Sequence, residues 1–194
     1  MIYSRYLNIL ILGGLLAIAG CATSGRHVEP YRDVACFGRA KIALAEAIAA
    51  AEQSIGQMVV DAEYNCAEEM SCLSGIPGRY DITLYSDGRL SRATVCSETG
   101  RVGPPFQRSG LGGLLAMDFL FDWPQSEMLR GAPLIASAGT SMHDAIAAAE
   151  RQGGKAMAAH LRNLDEQTDY AIEIVDQGQI RMVLVNPADG TVRQ

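Results

Sequence analysis

The hexapeptide AIAAAE stands at Ala47 to Glu52 and again at Ala145 to Glu150, 98 positions later. At the same offset Gly56 matches Gly154 and Asn65 matches Asn163. Further on the offset is 90: Tyr80 matches Tyr170, Ile82 Ile172, Gly88 Gly178, Val95 Val185, Gly100 Gly190 and Val102 Val192. The drop of eight positions places an insertion in the first copy, between Cys66 and Arg79, where CAEEMSC stands. A chain that matches itself over this length is expected to fold as two copies of one module.

Each copy opens with a helix. Residues from about Val34 to Ser54 are rich in alanine, with Ile42, Leu44 and Ile48 spread among them and no proline or β-branched run to interrupt the turns. The second copy begins Ser141-Met142-His143-Asp144, in which the serine hydroxyl can accept from an orphan amide and the aspartate favours the positive helix end. Its helix should run to about Gln152 and stop at Gly153-Gly154. The rest of each copy alternates with period two. Val60, Ala62 and Tyr64 fall on one face and Asp61, Glu63 and Asn65 on the other, and Tyr80, Ile82 and Leu84 alternate with Asp81, Thr83 and Tyr85. Ser86-Asp87-Gly88 then turns the chain into Leu90 to Cys96. The second copy repeats this with Tyr170, Ile172 and Ile174, the turn Asp176-Gln177-Gly178 and the run Ile180 to Val185; its first strand lies near Met157 to Arg162, in a register open by one residue. The expected class is α+β, two repeats, each one helix packed on a three-stranded antiparallel sheet.

The elements AIAAAE, YDITLYSDG and SETGRV, then AIAAAE, YAIEIVDQG and ADGTV, resemble the PepSY domain. The resemblance covers roughly residues 39 to 102 and 140 to 193. It implies a protein-binding role, with inhibition or regulation of a secreted or periplasmic peptidase as one form of it, and brings no invariant catalytic residue. The insertion and the cysteines, confined to the first copy, depart from that pattern.

The start of the chain reads as a processing signal. Arg5 gives a weakly basic start, an apolar stretch runs from about Leu7 to Ala19, and Ile18-Ala19-Gly20-Cys21 resembles the bacterial lipobox, whose cysteine is lipidated and becomes the new N-terminus. The apolar stretch is short for a membrane span. By the sorting rule of that class, Ala22 in place of aspartate points to the outer membrane, with the chain facing the periplasm. Removing the leader takes one arginine with it and moves the formal charge from −6 to −7. An acidic chain of pI near 5.0 argues against nucleic acid and against electrostatic attraction to anionic lipid, so attachment to the membrane is expected through the N-terminal lipid. The divisions are a leader (1–20), a tether (21–33), a first module (34–102), an apolar linker (103–139) and a second module (140–194).

Four cysteines remain beyond Cys21: Cys36, Cys66, Cys72 and Cys96. The spacing of Cys66 and Cys72 is not that of a zinc site and no CxxC pair occurs, so structural disulfides are the expectation for an exported chain. The start of the helix and the ends of the first and third strands share one edge of the module, which leaves all three pairings open. The favoured arrangement closes the inserted loop with Cys66 and Cys72 and joins Cys36 to Cys96.

Leu111 to Trp123 carries eight apolar side chains, Phe119, Phe121 and Trp123 among them. Such density calls for burial, either between the modules, which near 60 residues are short of core, or against a partner that docks at Trp123, Phe119 and Phe121. Gly110-Leu111-Gly112-Gly113 lacks the spacing, strand and lysine of a phosphate loop. The three histidines, His27, His143 and His160, sit in no HExxH, no GxSxG occurs, and Glu68 and Glu69 read as a solvated loop face. A cysteine nucleophile beside His160 conflicts with an oxidising compartment. The expectation is therefore a non-catalytic protein without metal or cofactor, either binding another envelope or secreted protein or serving as a structural component of the envelope.

Overall fold

A computed structural model describes residues 30–66, 78–105, 123–164 and 167–193. His27, Cys21, Glu68, Glu69, Cys72, Gly110 to Gly113, Phe119 and Phe121 lie outside the described residues, as does the side chain of Trp123.

Helices α1 (Pro30–Phe37) and α2 (Leu44–Ile55) stand where the sequence predicts one helix from Val34 to Ser54. A tertiary contact divides them: the backbone amides of Lys41 and Ile42 both donate to the carbonyl of Ser97, at 2.9 and 3.1 Å, and cannot then serve a helix. α2 restarts with its own cap, the Glu46 carboxylate accepting from the Ala43 amide at 3.0 Å, and stops at Gly56, whose φ of 73° lets its amide close on Glu52. Leu44, Ala47, Ile48 and Ala51, spaced for one helical face, are all fully buried.

Strands β1 (Met58–Asn65), β2 (Arg79–Ser86) and β3 (Arg89–Cys96) form the expected antiparallel meander, with Tyr64 opposite Tyr80 and Tyr80 opposite Val95. Helix α3 (Trp123–Ile135) occupies the end of the linker. The second module follows with α4 (Met142–Glu150), β4 (Lys155–Leu164), β5 (Gln167–Asp176), β6 (Gln179–Val185) and β7 (Val192–Arg193). Ser141 caps α4 as its sequence predicts, its hydroxyl accepting from the Asp144 amide at 3.1 Å. The hairpin turns correspond: Asp87 and Gly88 have φ of 51° and 76°, Gln177 and Gly178 of 48° and 79°, the pair of positive angles that matches the twist of two joined strands.

The two meanders make a single seven-stranded antiparallel sheet in the order β3-β2-β1-β4-β5-β6-β7. They meet where Asp61 faces His160, Ala62 faces Ala159 and Glu63 faces Ala158. Register irregularities between Val59 and Asp61 and between Ala156 and Ala158 fix the equivalence of the two first strands. Tyr64 then corresponds to Leu161, since these face Tyr80 and Tyr170. Ala62 corresponds to Ala159, an offset of 97, so Asn65 corresponds to Arg162 and its identity with Asn163 is coincidental. Ala62 and Ala159 thus face each other on a local two-fold axis, and the modules join as an isologous dimer does.

The described helices lie on one face of this sheet. Tyr64, Tyr80, Ile82, Leu84, Val95, Leu161, Tyr170, Ile172, Ile174 and Val183 point towards them into one continuous core that draws on both modules. Two modules, each short of core, share one. α1 and α3 correspond as well: Gly38 donates to Val34 and Ala40 to Phe37, as Ala136 does to Ala132 and Ala138 to Ile135, all at an offset of 98. Phe37 and Ile135 are both buried, and Gly131 lies so close to Leu161 that a Cβ there would come within 3.1 Å of it. The last part of the apolar linker therefore packs on β4 as α1 packs on β1.

The disulfide pairing differs from the favoured one. Cys36 is bonded to Cys66, with α-carbons 6.0 Å apart, and Cys96 belongs to another disulfide whose partner is outside the described residues. β2 separates β1 from β3, with Arg79 opposite both Asn65 and Cys96, so the ends of β1 and β3 stand two strand spacings apart, about 9.5 Å. α1 lies over β1, where the Tyr64 hydroxyl donates to the carbonyl of Cys36 at 3.1 Å, which puts Cys36 beside Cys66.

Candidate binding surfaces

The glutamate that ends AIAAAE has the same task in both modules. Glu52 accepts from the amide of Val59 and Glu150 from that of Ala156, each at 2.9 Å, at the residue where the first strand turns irregular and its amide leaves the ladder. Two of the alanines ahead of it in each copy let helix and sheet come close: Ala47 and Ala51, and Ala145 and Ala149, are fully buried. The tyrosine that opens the second strand is likewise shared. Tyr80 donates to the carbonyl of Ile42 at 2.7 Å and Tyr170 to that of Thr140 at 3.2 Å. Burial, with Glu46 and Glu150 nearby, pushes the Tyr80 hydroxyl far up; burial with Glu52 and Asp144 nearby pushes Tyr170 up to about 12. These neighbours also show that α2 and α4 run antiparallel, the start of each beside the end of the other. The repeated hexapeptide is thus structural in both copies.

On the face away from the helices, His160 and Asp61 form the contact between the modules, Nδ1 to Oδ2 at 2.7 Å, both half-buried. Burial works against the imidazolium, but the Asp61 hydrogen bond and charge, with Glu173 and Glu63, outweigh it and hold His160 above its ordinary range. The local two-fold pairs Glu63 with Ala158 at the corresponding point, so the ion pair has no symmetry mate. Around it Asp61, Glu63, Arg79, Asp81, Thr83 and Arg92 border a shallow cavity of about 230 Å³, in which Asp81 takes hydrogen bonds from Arg79 and Asn65. Mixed charges on a broad face suit recognition of a polar surface. Across the neighbouring strands Thr83 stands opposite Asp61 and Ala171 opposite His160, with Glu63 and Glu173 close enough to act on the imidazole.

A second cavity of about 320 Å³ opens where α1, the start of α2 and the end of α4 meet, bordered by Phe37, Ile42 and Val175 with Glu46, Glu150 and Lys155 at its rim. No group of three or more His, Cys, Asp or Glu side chains with the geometry of a metal site occurs among the described residues. His143 is exposed at the start of α4, 3.7 Å from Asp144. No helix among the described residues is long and apolar enough to cross a membrane. Sequence patterns single out His160 but give no hint of Asp61 as its partner, because the pair forms only across the junction of the modules, between residues 99 positions apart.

No protein-family model and no curated protein matches the chain. Among solved structures, the crystal structure at 1.85 Å of a candidate lipoprotein from Clostridium difficile 630 is similar at 14% identity and a TM-score of 0.38, over 74% of this chain and 84% of that one. A likeness this distant carries no inference.

Proposed function

We propose that this chain is a lipid-anchored envelope protein whose two PepSY-like modules bind another protein without catalysis, and that the partner is a secreted or periplasmic peptidase held or regulated by that contact. The reading is supported chiefly by the arrangement of the sheet: helices on one face, and on the other a surface that sets Asp61, Glu63, Asp81 and Arg92 of the first module beside His160 and Glu173 of the second. Fusion of the modules through β1 and β4 doubles the surface either would present alone, which brings it towards the roughly 800 Å² per partner of a stable protein contact. The lipobox-like segment Ile18 to Cys21 supports anchoring, Ala22 supports the outer membrane, and the tether carries the modules into the periplasm.

Crosslinking in intact cells, followed by identification of what co-purifies, tests the binding role, and peptidase assays on envelope extracts with and without the protein test the regulatory one. Unchanged peptidase activity despite a crosslinked envelope partner would favour a structural role in envelope assembly. Labelling with an acyl probe tests the anchor, which label persisting in a Cys21→Ser variant would refute.

A further inference from the structure

Among the described residues one methionine is exposed, Met182 on β6, which keeps 48% of its surface. Met128, Met142 and Met157 are buried and Met58 is half-buried. Met182 stands opposite Glu173 on the face away from the helices, with Ile180 exposed on the same face two residues before it. A thioether placed there is open to an oxidant that reaches the protein.

The sulfur also has a charged neighbour. Arg162 Nη1 donates to Met182 Sδ at 3.7 Å, although β5 separates the strands that carry the two residues. Arg162 stands opposite Asp169 and Met182 opposite Glu173, so Ala171 is the residue of β5 between them. Its small side chain is fully buried on this face, and the two long side chains meet across it. The Asp169 carboxylate beside Arg162 is held by Arg193, and among the described residues no carboxylate forms an ion pair with Arg162. A guanidinium has five N–H donors, whereas a thioether is a weak acceptor. A strong donor is therefore set against a weak acceptor at an exposed position, and one oxygen added to the sulfur would remove the mismatch.

We propose that Met182 is a site of oxidation by peroxide and that Arg162 holds the sulfoxide formed there. A sulfur lone pair attacks one oxygen of hydrogen peroxide and the O–O bond breaks. The departing oxygen takes the proton from the oxygen left on sulfur and leaves as water, so the sulfur gives up the two electrons that the peroxide gains. The product oxygen carries the negative end of a polar bond and accepts from the Arg162 guanidinium more strongly than the sulfur does. Sulfoxide reductases restore the thioether with the electrons of a thiol pair, the oxygen leaving as water. Oxidation turns the Ile180 and Met182 corner of the face from apolar to polar and fixes Arg162 over Ala171. That face is the one proposed for docking, but the site stands without that reading.

The test treats the full chain with hydrogen peroxide and follows its peptides by mass. Met182 is expected to gain one oxygen at least about tenfold faster than Met142 and Met157. Equal rates, or a Met182 left intact, would overturn the site. The hold by Arg162 is read separately, from urea unfolding of reduced and oxidised protein. Oxidation should raise the folding equilibrium constant at least about threefold more in the parent than in Arg162→Leu, and this excess should vanish in Met182→Leu. The side-chain N–H signals of Arg162 should also shift when the parent is oxidised, a measurement that needs no variant. Unshifted signals, or the same effect of oxidation in the parent and in Arg162→Leu, would overturn the hold.

Discussion

Cutting the Cys36–Cys66 bond, which closes a loop of 30 residues, separates its contribution from that of the packing around it. The loop-closure relation gives about 3.6 kcal/mol for a loop of that length at 25 °C. Contacts that survive the cut reduce the loss. The Tyr64 hydroxyl still donates to the Cys36 carbonyl, and Phe37 still meets the Tyr64 ring edge-on at 5.2 Å, with Tyr64 in turn 5.5 Å from Tyr80. These hold α1 against β1 in the folded state but do nothing to restrict the unfolded chain, so the cost should stay between about 2 and 4 kcal/mol. The variant is Cys36→Ala/Cys66→Ala, both together, so that neither thiol is left to exchange with the disulfide of Cys96. Urea unfolding of the parent and variant in the same Cys21→Ser background, followed by far-ultraviolet circular dichroism, gives the difference provided the slopes agree. A loss below about 1 kcal/mol would refute the reasoning from loop closure. Peptide mapping under non-reducing conditions that joined Cys36 to Cys96 would refute the pairing itself.

Glu52→Ala and Glu150→Ala should each cost about 1 to 3 kcal/mol, since each leaves a strand amide without its acceptor; equal melting of parent and variants would show that water replaces the carboxylates. Ala62→Leu, on the local two-fold axis beneath α2, should destabilise by about 1 to 3 kcal/mol through overpacking, measured by the same urea titration; an unchanged midpoint would mean that helix and sheet can separate there. The folded-state pKa of His160 lies above its unfolded value, so the stability it gives is fully present below about 6.5 and is lost as pH rises through the folded value. Desolvation opposes this and Asp61, Glu173 and Glu63 sustain it, so melting temperatures taken from about pH 5 to 8 should fall more steeply for the parent than for Asp61→Asn, and parallel profiles would contradict the assignment.

Local sequence was enough to read helix over α2 and α4, the alternation of β2 and β5 and the two hairpin turns, because each depends on neighbours within a few residues. Leu44, Ala47, Ile48 and Ala51 form a stripe whatever they pack against, and Asp87-Gly88 turns a chain wherever it lies. The repeat also announced that there would be two modules. It could not say how they would meet, since the antiparallel pairing of β1 with β4 depends on the twist and exposed edges of two completed meanders. That junction decided the rest: the shared core, the Asp61–His160 contact and the offset of 97 in the first strand. The same reason accounts for the broken first helix and for the cysteines. Lys41 and Ile42 spend their amides on Ser97, and Cys36 lies beside Cys66, because α1 docks over β1, a long-range contact that no local pattern encodes. Local sequence sets which residues turn, bury or alternate; only the closed tertiary structure sets which of the resulting surfaces and edges stand side by side.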